Sequence, residues 1–324
     1  MKFKPLGRTG VQVSELCLGT MSFGGDADEP TSAALYKACR DAGINFYDCA
    51  DQYNKGKSEE ILGRLMKGHR EDLVISTKCF NPSGEDINAR GTSRRHVTRA
   101  VEASLRRLQT DRVDVLFLHQ YDTRTPIEES IRALEDMVRS GKVLYPAISN
   151  WSAWQTQKAV DLQERNDWAR LQVIQPMYNL VKRQAEVELL PMAAANGIGV
   201  IPYSPAAAGL LSGKYSGEAS GRIKSNKMYA ARYGEPWAFE VADKFVAFCK
   251  QRDLHPVSAA VAWTGAHPAV TAPIIGARNV EQLQASLDSV KIDMNAKLRD
   301  EITALSRTPP PATDRLEEQQ AQKA

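Results

Sequence analysis

The chain has 324 residues, 43% of them hydrophobic and 25% charged, which is ordinary for a globular protein and excludes collagen-like, coiled-coil and disordered classes. The 42 lysines and arginines nearly balance the 39 aspartates and glutamates, so the net charge is +3. This balance predicts neither nucleic acid nor an anionic membrane as a partner. The length fits either two domains or one large α/β barrel, and the pattern along the chain must decide between them.

Cysteine usage and the N-terminal segment both favour a cytoplasmic protein. The five cysteines are odd in number and form no C-x-x-C pair, as expected for reduced thiols. The first ten residues contain no apolar core of a secretory signal. The uncharged stretch 254–277 is broken by prolines, so it predicts a buried helix and strand rather than a membrane span. No Cys/His spacing typical of zinc occurs, and we expect no metal site.

Short apolar runs alternate with amphipathic helical segments along the chain. Residues 3–6 and 11–13 flank a Gly-Arg-Thr-Gly turn and predict a small hairpin. Eight apolar runs follow, at residues 16–20, 44–50, 73–78, 113–119, 143–149, 171–176, 197–203 and 269–276. Most of them are continuous rather than alternating, which is typical of parallel strands buried on both faces.

Helical patterns lie between these runs, at residues 32–42, 58–66, 94–108, 127–139, 184–195 and 279–290. Eight consecutive strand-then-helix units predict a single α/β (β/α)8 TIM barrel with an N-terminal β-hairpin. A doubly wound sheet is the main alternative, but its G-x-G-x-x-G fingerprint does not occur.

Two segments exceed what such a barrel needs. Residues 206–235, after the seventh strand, are too long for an ordinary loop and predict a lid or a cofactor clamp. The tail at 309–324 begins with three prolines and is otherwise polar. We therefore expect a barrel domain at residues 1–308, followed by a flexible or peripheral tail at 309–324.

Polar side chains end three successive predicted strands. Asp48, Lys78 and His119 hold these positions, and Tyr53 lies in the loop beside the first of them. Alone, the aspartate could cap a helix and the histidine could belong to a loop, although lysine is rarely buried without a partner. A barrel gathers its strand ends at one mouth, where active sites lie. The four side chains are therefore expected to meet there.

This set suits the interconversion of a carbonyl and an alcohol. Tyrosine has an ordinary pKa near 10, and a neighbouring ammonium lowers it. Asp48 would keep Lys78 charged, so that Tyr53 exchanges a proton near neutral pH while His119 binds the substrate oxygen. The chain has no G-x-S-x-G elbow, no phosphate-binding P-loop and no paired carboxylates at strand ends suited to a glycosidase.

The sequence resembles the aldo-keto reductase superfamily from residues 6–10 to about residue 290. The motifs that carry the resemblance are LGTM at 18–21, the segment 45–66, ISTK ending at 78, DVLFLHQYD at 114–122, SNW at 149–151, YSP at 203–205, GLLSGKY at 209–215 and GARNVEQL at 276–283. The chain is most similar to the bacterial branch that also includes potassium-channel β subunits. The resemblance implies a reductase of aldehydes or ketones whose catalytic tetrad is Asp48, Tyr53, Lys78 and His119.

The resemblance also implies a nicotinamide cofactor that lies extended across the barrel mouth without a Rossmann domain. Ser149, Asn150 and Gln175 would bind its carboxamide, and Tyr203 would stack on the nicotinamide. The remaining cofactor contacts implied are Thr20, Met21 and Asp48 near the reacting end, Ser204, Pro205, Gly209 and Leu211 along the pyrophosphate, and Lys214, Arg222, Gly276, Arg278 and Gln282 around the adenosine. The basic residues of this last group favour NADPH over NADH, because they suit a 2′-phosphate.

Two positions depart from the family pattern. Ala285 and Ser286 stand where many relatives carry a carboxylate and an asparagine near the adenine. Residues 206–208 are three alanines where relatives often have a Leu-Ala-Gly type sequence, which changes the expected clamp.

The substrate pocket is expected to have apolar and aromatic walls. The predicted walls are Met21, Phe23, Tyr53, His119 and Trp151, with further residues near Phe80, Asn81, Tyr229, Tyr233 and Trp237. Such walls suit an uncharged, carbon-rich aldehyde or ketone.

Two alternatives to a reductase stay open at this stage. The chain could be a regulatory or redox-sensing subunit that holds NADPH and turns over slowly. It could also be an aldolase or isomerase with a Schiff base on Lys78, although the cofactor motifs argue against that. The sequence leaves the oligomeric state open.

Overall fold

The computed structural model of the protein describes residues 1–215 and 222–313, without the side chains at positions 222 and 224. The chain begins with the predicted antiparallel hairpin of β1 (Phe3–Pro5) and β2 (Gln12–Ser14). Leu6 and Val13 from this hairpin are fully buried and belong to the same apolar cluster as Phe46 and Phe117 from barrel strands. The hairpin therefore closes the bottom of the barrel.

Eight parallel strands form the central sheet, at the positions of the eight apolar runs. They are β3 (Cys17–Gly19), β4 (Phe46–Asp48), β5 (Val74–Cys79), β6 (Val113–Leu118), β7 (Val143–Ser149), β8 (Val173–Gln175), β9 (Gly199–Val200) and β10 (Ile274–Ile275). From β3 to β9 each strand pairs with the next in sequence, and β10 pairs with β3. The backbone amides of Thr271 and Ile274 donate to the carbonyls of Val200 and Pro202, which joins the last two strands. The predicted (β/α)8 barrel is confirmed.

Helices surround this sheet. The described residues form α1 (Glu29–Asp41), α2 (Lys57–Leu65), α3 (Arg94–Leu108), α4 (Ile127–Arg139), α5 (Ala153–Asn166), α6 (Leu189–Asn196), α7 (Arg222–Ser225), α8 (Lys227–Tyr233), α9 (Pro236–Gln251), α10 (Pro256–Gly265), α11 (Val280–Leu287) and α12 (Ala296–Thr303). Helices α3 and α4 have the predicted bounds, and α10 is the buried helix expected within 254–277. Helices α5, α9 and α12 were not predicted. Within the described residues, no helix is long and apolar enough to cross a membrane.

The interior of the barrel changes character along its axis. Its lower part is apolar, whereas its upper part contains the buried polar side chains of Asp48, Ser76, Lys78 and Gln175. Burying such groups is costly unless they bind one another. The buried polar side chains of the barrel interior therefore lie at the carboxyl ends of the strands.

The segment predicted as a lid is partly described. A 3-10 turn at Ala207–Ser212 follows β9, and α7 and α8 lie farther along the segment. Residues 216–221 and the tail at 314–324 lie outside the described residues, so the predicted lid and tail are seen only in part.

Candidate active site

The centre of the site is a buried ion pair between two neighbouring strands. Lys78, at the end of β5, is fully buried, and its Nζ lies 2.5 Å from Asp48 Oδ2 at the end of β4. The same ammonium donates to the carbonyl oxygen of Cys49 at 2.6 Å and to the hydroxyl oxygen of Tyr53 at 3.3 Å. Its three donors are thus all engaged, and one of them is directed at the phenol.

Two further side chains hold Asp48 in place. Its Oδ1 accepts hydrogen bonds from Ser76 Oγ at 2.7 Å and from Gln175 Nε2 at 3.1 Å. The parallel register sets Asp48 beside Ser76, so the first contact follows from strand pairing. Sequence reasoning missed Ser76, although a serine inside the apolar run 73–78 was a usable signal. Gln175 was expected to bind cofactor, and here it also anchors the carboxylate.

Tyr53 is presented by a strained turn. It begins the 3-10 turn Tyr53–Gly56, in which Asn54 (φ 49°) and Lys55 (φ 57°) both adopt left-handed backbone conformations. The Asn54 amide nitrogen donates to the carbonyl oxygens of Met21 at 2.9 Å and Phe23 at 2.7 Å. These bonds tie the turn to the loop after β3, because carbonyls from that loop accept them. They therefore fix where the phenol lies.

His119 completes the set at the end of β6. Its ring lies edge-on to that of Tyr53, with 6.1 Å between the centroids, and its Nδ1 is 3.4 Å from Gln52 Nε2. Burial, with a smaller contribution from the Lys78 ammonium, lowers the pKa of His119 to about 3. The imidazole is therefore neutral at physiological pH, with one ring N–H available as a donor.

The protonation states of the other two groups follow from burial and charge. Burial raises the pKa of Tyr53 to about 12, although Lys78 pulls it down. Burial alone would lower the pKa of Lys78, but the Asp48 carboxylate and Tyr53 raise it above its ordinary value. The expectation of a tyrosine titrating near neutrality is thus not met, because desolvation of the phenolate outweighs the attraction of the ammonium. At neutral pH Tyr53 keeps its proton and Lys78 is charged.

The residues expected to bind the nicotinamide end form one hydrogen-bonded chain. Tyr203 Oη donates to Asn150 Oδ1 at 2.7 Å, and Asn150 Nδ2 donates to Ser149 Oγ at 3.0 Å and to the His119 carbonyl oxygen at 2.9 Å. Ser149 Oγ in turn donates to the backbone carbonyl of Gln175 at 2.9 Å. These predicted residues are brought together beside the tetrad. Amide and hydroxyl groups of this kind suit a carboxamide.

Thr20 and Met21 lie on the opposite side of this mouth. The Thr20 hydroxyl is buried and donates to the carbonyl oxygen of Asp48 at 3.1 Å, while Met21 is 41% exposed. Phe23, in contrast, is fully buried in the core and offers no exposed wall to a substrate. Trp151 is also almost fully buried, with its ring edge-on to Tyr121 at 5.1 Å between centroids.

The residues expected at the phosphates form a second group. Ser204 (φ 58°) and Gly209 (φ 86°) are left-handed, and a Cβ on Gly209 would lie 2.6 Å from Lys214 Nζ. That glycine therefore permits the lysine to lie against the turn. Pro205 and Leu211 are buried.

The expected adenosine contacts cluster around the start of α11. Arg278 is exposed, its Nε lies 3.8 Å from Asp26 Oδ2, and its backbone amide donates to Gln282 Oε1 at 3.3 Å. Gly276, just before it, is exposed, whereas the Arg222 side chain lies outside the described residues. Cationic groups beside a helix N-terminus fit phosphate. The donors and cations of the mouth are thus chemically suited to a nicotinamide dinucleotide.

One mouth residue was missed by sequence reasoning. The Arg232 guanidinium carbon, on α8, lies 6.0 Å from the ring centroid of Tyr203 and 5.8 Å from that of Tyr229. A basic residue in a polar loop segment gives no sequence signal that separates it from an ordinary surface charge.

Comparison with known proteins gives the class of this fold and site. The family model described as "Aldo/keto reductase family" matches residues 15–307. An uncharacterized oxidoreductase, YrpG, of Bacillus subtilis is 38% identical over 92% of this chain and 94% of its own. A probable voltage-gated potassium channel subunit beta of Oryza sativa is 35% identical over 97% of this chain and 99% of its own. A versiconal hemiacetal acetate reductase of Aspergillus parasiticus is 32% identical over 91% and 94%.

The protein is an oxidoreductase-type (β/α)8 barrel with a polar mouth. It belongs to the aldo/keto reductase family, which confirms the resemblance inferred from its motifs. Membership supports reduction of small carbonyl compounds with a nicotinamide cofactor in general.

Proposed function

We propose that the protein is a cytoplasmic, NADPH-dependent reductase that converts an aldehyde or ketone to an alcohol. The observation that carries this proposal is the contact of the buried, charged Lys78 with the protonated hydroxyl of Tyr53 at 3.3 Å. A proton donor held beside a fixed cation is what a carbonyl oxygen needs as it takes up charge. We propose further that residues 1–308 form the reductase domain, with 309–324 as a tail.

A bound nicotinamide would supply the hydride that adds to the carbonyl carbon. Tyr53 donates its phenolic proton to the carbonyl oxygen, which gives the alcohol and leaves a tyrosinate. Lys78 stabilises that tyrosinate across 3.3 Å, while Asp48 holds the ammonium charged and in place. The neutral His119 donates a hydrogen bond that orients the carbonyl.

The protonation states favour the reducing direction. A phenol with a pKa of about 12 is almost wholly protonated at pH 7, so the acid needed for reduction is present. Alcohol oxidation needs tyrosinate as a base, which this environment disfavours. The charged state of Lys78 also disfavours the Schiff-base alternative, because a nucleophilic amine must be neutral.

Cofactor choice and location are inferred from two smaller observations. Lys214 and Arg278 carry the positive charge that a 2′-phosphate needs, so NADPH is preferred to NADH. All five cysteines are free and buried, which suits the reducing cytoplasm.

A direct assay tests the proposal. Purified protein is expected to oxidise NADPH in the presence of 4-nitrobenzaldehyde, with a kcat/KM at least about tenfold higher than with NADH. Absorbance at the reduced-nicotinamide band measures both rates side by side. Equal rates with the two cofactors would overturn the NADPH assignment, and no oxidation of either would overturn the reductase assignment.

A second candidate function follows from the channel-subunit relatives. Their names describe a potassium channel subunit beta, and the similarity covers almost the whole chain. In that case the protein would retain NADPH tightly, turn over slowly and co-purify with a partner. Rapid multiple turnover in the assay above excludes a mainly regulatory role.

A further inference from the structure

Arg232 is a cation of the lid segment 206–235 that lies against the candidate site. It stands on α8 with its guanidinium near the rings of Tyr203 and Tyr229. Tyr203 is partly buried. Burial raises its pKa, the Arg232 charge lowers it, and Tyr53 raises it. Tyr203 therefore lies within electrostatic range of both the guanidinium and the reacting phenol.

The position of Arg232 is fixed by its neighbour in sequence. Tyr233 is fully buried, and its hydroxyl accepts a hydrogen bond from Asn179 Nδ2 at 3.2 Å. The same Asn179 amide donates to the carbonyl oxygen of Ser204 at 2.9 Å, directly after Tyr203. This anchor holds α8 against the end of β9, so Arg232 is presented to the mouth from a defined helix.

Arg232 has no acidic partner within 4 Å among the residues that the structure describes. Some other arginines are matched, as Arg107 is by Glu59 at 2.7 Å, whereas Arg232 lies beside the rings of Tyr203 and Tyr229. The guanidinium lies beside two aromatic rings and is partly withdrawn from water. It therefore binds a planar anion favourably, because its planar set of N–H donors matches the two oxygens of a carboxylate.

We propose that Arg232 binds a carboxylate on the substrate, so that the preferred substrates are aldehydes or ketones that carry a carboxylate on an apolar or aromatic body. The inference rests on the proposed function and replaces the expectation of an uncharged substrate. The carbonyl of such a molecule would meet Tyr53 while its carboxylate meets Arg232. A phosphate of the cofactor offers similar oxygens, and the experiment separates the two sources.

The test compares two aldehydes that differ in one charge. The probes are 4-carboxybenzaldehyde and methyl 4-formylbenzoate, each assayed with NADPH. The wild type is expected to prefer the carboxylate, and Arg232→Gln to lower kcat/KM for it by about 10- to 100-fold while leaving the ester within about threefold. Arg232→Lys should retain part of the preference. Lys227→Gln, which removes an exposed charge from the same helix, is the matched control and should change neither substrate.

The outcomes separate this proposal from the proposed function. An equal loss of kcat/KM with both aldehydes, together with a higher Kd for NADPH, would overturn the carboxylate proposal and assign Arg232 to the cofactor. Reduction of the ester without preference for the carboxylate would overturn it and leave the reductase intact. If neither aldehyde is reduced, calorimetric binding of 4-(hydroxymethyl)benzoate decides: weaker binding to Arg232→Gln supports the carboxylate site, and unchanged binding overturns it.

Discussion

Desolvation sets the charge states of Tyr53 and His119 in the candidate site. It keeps the proton on Tyr53 and removes it from His119, whereas Lys78 stays charged because Asp48 offsets its burial. The sequence predicted these residues and a charged Lys78, but not the extent to which burial shifts the pKa values of Tyr53 and His119, since burial depends on the packing of distant segments. Asp51 shows the same effect outside the tetrad.

Asp51 is a buried carboxylate, and among the described residues neither of its oxygens has a hydrogen bond of good geometry. Burial and the nearby Glu59 raise its pKa to about 7, against smaller opposing effects from Arg107, the backbone amide of Gln52 and Lys78. In the unfolded chain an aspartate titrates near pH 4. Between about pH 4 and pH 7 the unfolded state therefore loses this proton while the native state keeps it, so the free energy of unfolding falls as pH rises.

Replacing Asp51 by Asn should remove this penalty. The variant is expected to be more stable than wild type by about 4 kcal/mol at pH 8, with most of the difference lost near pH 4. Urea unfolding at both pH values measures it. The exposed Asp300→Asn serves as the control and should show no such pH-dependent gain. A difference between Asp51→Asn and wild type that is the same at pH 4 and pH 8 would contradict the assignment.

At the scale of elements, the turn after β4 fixes the position of the Tyr53 phenol. Its two consecutive left-handed residues, Asn54 and Lys55, are costly for side chains with a Cβ. Only Asn54 also ties the turn to the carbonyls of Met21 and Phe23. The loop position of Tyr53 was predictable, but this clamp was not, because no pattern links residue 54 to residues 21–23.

We expect Asn54→Ala to lower kcat by about tenfold or more, because the phenol loses its fixed position. Asn54→Gly, which tolerates the left-handed backbone but lacks the amide, should lose less. The KM for NADPH should hold in both variants. Lys55→Gly relieves the same backbone strain without removing a hydrogen bond, so it should keep wild-type activity. Full activity in Asn54→Ala would show that the clamp does not position Tyr53.

Over the whole molecule, the sequence predicted best the strands that are buried on both faces, because such strands form apolar runs. The eight apolar runs located all eight strands, although only β5 and β7 are as long as their runs. Helix α5 escaped prediction because its buried face consists of Thr156, Ala159, Val160 and Gln163, which give little hydrophobic period. Arg232 escaped because its importance depends on where α8 packs. Tertiary placement, rather than local pattern, therefore determines what sequence reasoning misses.

The central claim is that Tyr53 donates the proton, and Tyr53→Phe tests it most directly. The substitution removes one oxygen and leaves Lys78 bound to Asp48 and Cys49. We expect kcat/KM for 4-nitrobenzaldehyde to fall by about 10²- to 10⁴-fold, with NADPH affinity and thermal stability close to wild type. Activity within a few-fold of wild type in a folded, NADPH-binding Tyr53→Phe protein would contradict the account.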